Sequence, residues 1–389
     1  MSVPSNPDWN RYSDVIRSFT ANGGASYGAQ ESVGSPDAQD HFRGVEDPSL
    51  SIGYDLQQFF VDGSGNPVDA AGDAIVRDSE NQLQNTHLAV ERQTLPSSQG
   101  NDNAGVRIYT VGRGLTPTSA TATLDPSTEN PILAELEYQP RKVRSYRIHQ
   151  PSAATTIDIV STDSNDTMDI TIENEDAGTT ETISLNGTTT VTTTSSFGDI
   201  DAVWLSDNPA GDVTLTDGSG TTLMQIDGGI SYSDDGNPVD GDRGVPALGT
   251  GSHASAIGST YEHFVGDRFE RPSGSDPRAR VNSASWTVEN DVTTSTQAGS
   301  RLPVVDVGNR TVTVDAEVQG PYVSHDSMRE ALTKVQQNIE HELDGGTVTF
   351  NNTVPESNAE RSREPSQAVA GYSETFAASG DPPITLSSS

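Results

Sequence analysis

The run His341-Glu342-Leu343-Asp344-Gly345 opens like the helix of a zinc protease, where two histidines four residues apart share a metal and the glutamate between them acts as base. Position 345 is glycine, so the second ligand is missing and the run reads as a helix end. Gly112-Arg113-Gly114 begins like a loop that cradles phosphate. Leu115, Thr116 and Pro117 follow where a third glycine and a helix start are needed, so it reads as a turn. Gly251-Ser252-His253 sets a hydroxyl beside an imidazole, but without the strand-to-helix elbow that exposes a serine nucleophile. Asp62-Gly63-Ser64-Gly65-Asn66 and Asp234-Asp235-Gly236-Asn237 offer oxygen-rich turns for a hard cation, yet neither continues to the bidentate glutamate of a calcium loop. Paired carboxylates of the glycosidase kind carry no signal in a chain with 56 acids, because that signal lies in three-dimensional spacing. The absence of cysteine excludes disulfides and thiolate chemistry. The expectation is a protein that is not an enzyme and holds no cofactor beyond non-specific Na, K or Mg counterions.

Those 56 acids face 22 basic residues, a formal net charge of −34, and among the bases only Lys142 and Lys334 are lysine. Dispersed carboxylates hold hydrated cations and keep a chain soluble where salt would otherwise drive it out of solution. The composition therefore reads as halophilic. Disorder is the competing reading of an acidic chain. It is disfavoured because no run of five like charges occurs and alternating Val, Ile and Thr segments recur. Binding to phosphates needs a basic footprint, so the charge argues against specific affinity for nucleic acid. A chain of 389 residues can hold two or three domains, each with its own core. Met1 to Asn10 is polar and lacks the regions of a signal peptide, and no apolar run reaches the ~18 residues of a membrane span, so a soluble chain with no membrane partner is expected.

The elements follow from periodicity. Trp9, Tyr12, Val15, Ile16 and Phe19 form one stripe, which predicts a helix from Pro7 to about Thr20. Leu50, Ile52 and Tyr54 alternate as a strand does, and residues 61–104 then read as a long loop with only hints of strand near Ile75 and Leu88. Val106 to Val111, Ile132 to Tyr138 and Val143 to Ile148 are further strands, the last beside the basic cluster of Arg141, Lys142, Arg144 and Arg147. That cluster is either a solvated strand edge guarded against sheet addition or a surface for an acidic neighbouring subunit. From 151 to 230 the composition shifts to Thr, Ser, Asp and Gly with short alternating segments, the pattern of an inserted Ig-like β-sandwich. The host domain is then discontinuous, 1–150 and 231–389. Trp286 and Val288, then Val312, Val314, Ala316 and Val318, alternate with polar residues as half-buried antiparallel strands. Met328, Leu332, Val335, Ile339 and Leu343 form a stripe that predicts a helix from Ser324 to Leu343, stopped by Gly345-Gly346. Residues 355–389 are polar and read as an arm that orders against a partner.

Ala284-Ser285-Trp286-Thr287-Val288-Glu289-Asn290-Asp291-Val292 resembles a strand of the tail tube proteins of long-tailed phages, a Ser-aromatic-x-Val-x-Asn-x-Val pattern. The second strand (Arg310 to Gln319), the helix and the closing strand that follow are similar to the order of that family's tube domain. The chain as a whole resembles structural proteins of haloarchaeal tailed viruses, the Phe197-Gly198-Asp199-Ile200-Asp201-Ala202-Val203 stretch of the insert included. The resemblance implies a mainly β fold: a tail-tube-type β-sandwich or barrel with one flanking helix, carrying the inserted sandwich. It further implies six copies in a ring, rings stacked through the long loop and the C-terminal arm, other tail proteins at the tube ends, and DNA passing through the lumen without specific binding. The chain would be made in the host cytoplasm and reside in the virion tail. Assembly would fall to Trp286, Val288, Val312, Val314, Val318, Met328 and Leu332 with Arg141, Arg144 and Arg147. Rival readings are a capsid or capsid-decoration protein of a halophilic virus, an extracellular surface-layer or adhesive protein, and an acidic hydrolase.

Overall fold

The structure is a computed structural model that describes residues 16–24, 27–30, 40–43, 47–77, 83, 86–95, 105–124, 131–174, 178–228, 243–245, 261–269, 280–295, 304–319, 337–356, 360–362 and 371–389. Its first part holds strands β1 (Ile16–Asn22), β2 (Tyr27–Gln30), β3 (Asp40–Arg43) and β4 (Ser49–Asp55), helix α1 (Ala70–Ile75), then β5 (Thr86–Leu95), β6 (Val106–Leu124), β7 (Leu133–Gln139) and β8 (Lys142–His149). The middle part holds β9 (Ile157–Ser161), β10 (Asp169–Asn174), β11 (Thr179–Ser184), β12 (Val191–Thr192), β13 (Ala202–Leu205), β14 (Val213–Asp217), β15 (Thr222–Ile226) and β16 (Gly244–Val245). The last part holds β17 (Phe264–Phe269), β18 (Arg280–Ser295), β19 (Val304–Gln319), β20 (Gln337–Leu343), β21 (Gly346–Pro355), β22 (Glu360–Ser362), β23 (Gly371–Ala378) and β24 (Ile384–Ser388). The protein is thus mainly β, with several antiparallel sheets in a sandwich-like arrangement. Among the described residues no helix is long and apolar enough to cross a membrane.

The main sheet runs β1-β4-β7-β6-β18-β19-β23-β21-β20-β17, with β24 beside β21 and β22 beside β23. Period-two alternation places one set of side chains on its inner face. Tyr54, Ala134, Ala122, Trp286, Val314 and Phe376 lie in one transverse row, and Ile52, Leu136, Ala120, Val288, Val312 and Ala378 in the next. Large and small residues share a row, so the alanines make room for the indole. The same buried cluster contains Ile339, Val348, Phe350 and Ile384 from β20, β21 and β24. The sheet therefore curls until its two ends face each other across one core, and Trp286 meets Phe350 with ring centroids 6.1 Å apart. Helix α1 closes that core with Ala70, Ala71, Ala74 and Ile75. Its end is tied to the β18–β19 hairpin: Asn290 Nδ2 donates to Ala74 O at 3.1 Å, and Arg310 Nη1 donates to Ile75 O.

Strand β6 belongs to two sheets. Its first half, to Leu115, pairs with β5 and β8, and its second half with β7 and β18. The change of partner falls at Gly114, whose φ of +61° favours glycine, and at a register shift between Pro117 and Ser119. The first half carries Tyr109 and Val111 into a second core shared with Ile157, Ile170, Phe197, Leu215 and their neighbours. That core fills the sandwich of two sheets, β11-β10-β13-β16 and β12-β9-β14-β15. Polar contacts fasten the same junction. Arg107 Nη1 bonds Asp201 and donates to Ile200 O at 3.0 Å, Tyr109 Oη donates to Asp201 O at 2.7 Å, and Ile200 N donates to Gln150 Oε1 at 2.7 Å. Arg113 donates to Gly244 O at 2.9 Å with its guanidinium 5.2 Å from the Trp204 ring centroid.

Several expectations need correction. Residues 16–22, expected to end a helix, are an edge strand against β4, with Phe19 and Ala21 packed on the core; residues 7–15 lie outside the described residues. Residues 337–343, expected to end the flanking helix, are strand β20, because Ile339, His341 and Leu343 are all buried on one face at period two. Met328 and Leu332 lie outside the described residues. The stretch 61–104 is no continuous loop: it contains α1, capped by Asp69, and the ten-residue β5 paired with β6. Within the expected arm, β23 pairs with β19 and β24 with β21, so residues 371–388 are ordered by this chain itself. The insert's sheet takes β16 from beyond residue 230, because Val245 fills its core beside Val203.

Candidate functional site

Alternation that buries one row of side chains presents the next row outward. Across β4, β7, β6, β18 and β19 one such row reads Ser51, Glu137, Ser119, Glu289 and Thr311. The adjacent row reads Gly53, Glu135, Thr121, Thr287, Thr313 and, on β23, Ala377. The next reads Asp55, Leu133, Thr123, Ser285, Asp315 and Thr375, and a shorter one Ser283, Glu317 and Ser373. These rows hold mainly hydroxyls and carboxylates, with Gly53, Leu133 and Ala377 among them and no lysine or arginine; Asp55, at the β4 end, is buried. Hydroxyls bond one another and the carboxylates: Thr121 and Thr287 lie 3.0 Å apart through their Oγ1 atoms, and Thr375 donates to Asp315. At the margin Arg17 of β1 forks onto Asp55, Nε to Oδ1 at 2.8 Å and Nη2 to Oδ2 at 2.6 Å, which holds the edge strand down. Apart from Arg17 at the margin, the charged side chains of these rows are carboxylates. These rows have the chemistry to repel phosphates and to hold mobile cations, and among the described residues Leu133 and Ala377 are their apolar members.

Of the residues expected to carry assembly, Trp286, Val288, Val312 and Val314 point into the core, so they are not themselves offered to a second copy. Val318 continues β19 opposite Tyr372. Arg141 lies against Gly114 at the bend of β6, where its backbone N–H donates to Arg113 O at 2.9 Å. Lys142 is buried, whereas Arg144 and Arg147 line a cavity between β8 and β15. The outward residues of the sheet were missed as a site because each is an ordinary Ser, Thr, Asp or Glu; only strand register gathers them.

The motif fragments resolve into structure. Gly112-Arg113-Gly114 is strand, with Arg113 buried. Asp62 Oδ1 accepts from the backbone N–H groups of Asn66 and Ser64 at 2.9 and 2.8 Å, which pulls the carboxyl below its ordinary value and closes the segment as a turn. Among the described residues no group of three or more His, Asp or Glu is placed to hold a metal ion. Residues 234–237 and 251–253 lie outside the described residues.

Two buried titratable groups oppose each other in the acid range. Burial pushes the Asp69 carboxyl up to about 7; Tyr54 Oη and Ala71 N–H both donate to its Oδ1, and Oδ2 is buried without a partner, as suits a neutral acid. Burial pushes the His341 imidazole, packed edge-on against Phe350, down to about 3. Asp69 keeps its proton when folded and loses it near 3.8 when unfolded, so its contribution to stability is complete at low pH and is lost as pH rises through about 7. His341 stays neutral when folded and gains a proton below 6.5 when unfolded, so its contribution is complete above 6.5 and is lost as pH falls through about 3. Between 3.8 and 6.5 the two slopes offset. Asp69→Asn is expected to make stability fall more steeply with acid over that window than in the wild type, and His341→Phe to tilt the slope the other way. Urea midpoints across the window check both, and parallel curves for all three proteins would refute the assignment.

No protein-family model matches this chain, and no curated protein matches it.

Proposed function

We propose that the chain is a structural virion protein that assembles with copies of itself into stacked hexameric rings, forming the tail tube through which the DNA of a tailed virus of salt-loving hosts passes. The observation that carries this reading is the outward face of the β4-β7-β6-β18-β19-β23 sheet, whose transverse rows contain Glu135, Glu137, Glu289, Asp315 and Glu317 among hydroxyls and no cation. Tight binding to a duplex depends on cations that displace its counterions. A wall without them lets DNA slide. The β18–β19 hairpin, which carries the tail-tube-like segment, is central to this face and is the longest strand pair among the described residues. Other tail proteins would meet the tube at its ends, and the inserted sandwich, held by Arg107 and Tyr109, would ride with the wall as a fixed decoration.

Electron microscopy of the purified protein in about 3 M salt, where the screening length falls below about 3 Å, tests this directly. Rings and hollow tubes are expected. Closed shells would favour a capsid protein, flat lattices a surface layer, and dispersed monomers would overturn self-assembly.

A further inference from the structure

Strand β17 ends the path of the main sheet, and the segment that leads into it, 261–263, ties that end back to the beginning. Glu262 N donates to Leu56 O at 2.8 Å, Ile132 N to Glu262 O at 3.1 Å, and Leu56 N to Ile132 O at 2.9 Å. The main chains that follow β4, precede β7 and precede β17 therefore close one ring of hydrogen bonds. The Glu262 side chain extends the tie to a fourth segment, since Gly345 N in the β20–β21 turn donates to its Oε2 at 2.8 Å. Glycine leaves the room for this contact: a Cβ at position 345 would lie 2.5 Å from Glu262 Oε1 and 2.8 Å from Phe59 Cβ. Ser389 N donates to Gly345 O at 3.0 Å, which brings the end of β24 to the same node.

The node is built around a charge that its surroundings disfavour. Glu262 is 7% exposed, and the segments it ties contribute Leu56, Phe59 and Ile132, all buried. Asp344 of the β20–β21 turn repels its carboxylate, and His263 of its own segment favours the ionised form; Asp55, beside Leu56, is turned to Arg17 instead. We propose that Glu262 is a pH-sensitive latch on the seam of the main sheet: neutral, it holds segment 261–263 against Leu56, Ile132 and Gly345, and ionised, it makes this seam the first part of the core to open. A glutamine would make the same contacts without a charge, so the titratable group costs stability at neutral pH and gains a response to pH. Burial outweighs the Gly345 bond and holds the folded carboxyl above its ordinary 4.5. Its contribution to the seam is therefore complete below 4.5 and is lost as pH rises through the folded value. Opening frees main-chain groups of Leu56 and Ile132, at the ends of two paired strands, for another strand to take. The latch does not depend on the assembly proposed above.

Amide hydrogen exchange on the full chain, at fixed salt and in urea too dilute to unfold it, reads the seam through the N–H groups of Leu56, Ile132, Glu262 and Gly345. These amides are expected to exchange in one opening event that leaves the N–H groups of β18 and β19 protected. Their protection, corrected for the intrinsic rate, is expected to fall several-fold as pH rises from about 5 to about 8. In Glu262→Gln they keep at the upper pH the protection that the wild type has at the lower. Asp69 titrates in the same window, so Asp69→Asn serves as the control, in which the loss with pH persists. In the wild type the carbon NMR resonance of the Glu262 side-chain carboxyl titrates with the midpoint of the loss. Seam amides that exchange only together with β18 and β19 overturn the seam as a separate opening unit. A loss undiminished in Glu262→Gln, a loss absent from Asp69→Asn, or a carboxyl midpoint distinct from that of the loss overturns Glu262 as the latch.

Discussion

Trp286→Ala is expected to lower the free energy of unfolding by about 3–5 kcal/mol, the range for deleting a buried aromatic from a core that cannot collapse around the gap. The indole is 1% exposed. It meets Phe60 edge-on with ring centroids 5.4 Å apart and Phe350 at 6.1 Å, so it joins its own strand to the segment before α1 and to β21. In the transverse row it is flanked by Ala122, with Ala134 beyond it, and by Val314; the alanines are too short to move into the void, and all three are fixed by strand pairing. Trp286→Phe separates two contributions. The indole Nε1 is buried without a hydrogen-bond partner, so phenylalanine removes an unsatisfied donor while keeping most of the ring, and a cost of about 1–2 kcal/mol is expected. Urea is the denaturant to use, since it leaves ionic strength fixed. A midpoint for Trp286→Ala within about 0.5 kcal/mol of wild type, the effect of an ordinary surface change, would show that the two ends of the sheet do not pack through this residue.

What the sequence made legible was the pattern of half-buried strands. Trp286 and Val288, Val312 and Val314, and the Ile and Leu pairs of the insert each alternate over enough residues for period two to stand out. The failures share one cause. In the sequence Val335, Ile339 and Leu343 fall four apart, which suits a helix; within β20 the buried, neutral His341 completes an Ile339-His341-Leu343 alternation instead. Gly345 and Gly346, expected to stop a helix, turn β20 into β21. In β1 the edge position leaves Ile16 52% exposed, so its apolar residue carries no information about a buried face. Strand β24 has only Ile384 and Leu386 to mark it, and its pairing with β21 is a contact between segments whose composition looked like a tail. The acidic face was illegible for a different reason: Glu135 and Glu289 are far apart in sequence, and only the register through Thr121 and Ser119 sets them two strands apart.

Tubes assembled at about 3 M salt are expected to come apart on dialysis to about 0.05 M, where the screening length exceeds about 10 Å. Each chain brings a formal charge of −34 to the assembly, and the carboxylate rows concentrate part of it on one surface. In molar salt a carboxylate is screened from any partner beyond contact distance, so copies meet as neutral surfaces and strand edges and apolar contacts decide the outcome. At low salt the charges on neighbouring copies add, and repulsion grows with every ring. The variant Glu135→Gln, Glu137→Gln, Glu289→Gln, Asp315→Asn separates this face from the rest of the charge. All four side chains are exposed, so the chain's own stability should change by less than about 0.5 kcal/mol for each. If the rows line a common passage in which copies confront one another, the salt concentration at which tubes dissolve falls in this variant, as sedimentation across a dialysis series would record. Wild-type tubes that survive at 0.05 M would sink the electrostatic account as a whole. An unchanged threshold in the variant would place the decisive charges elsewhere on the surface, and with them the wall that DNA meets.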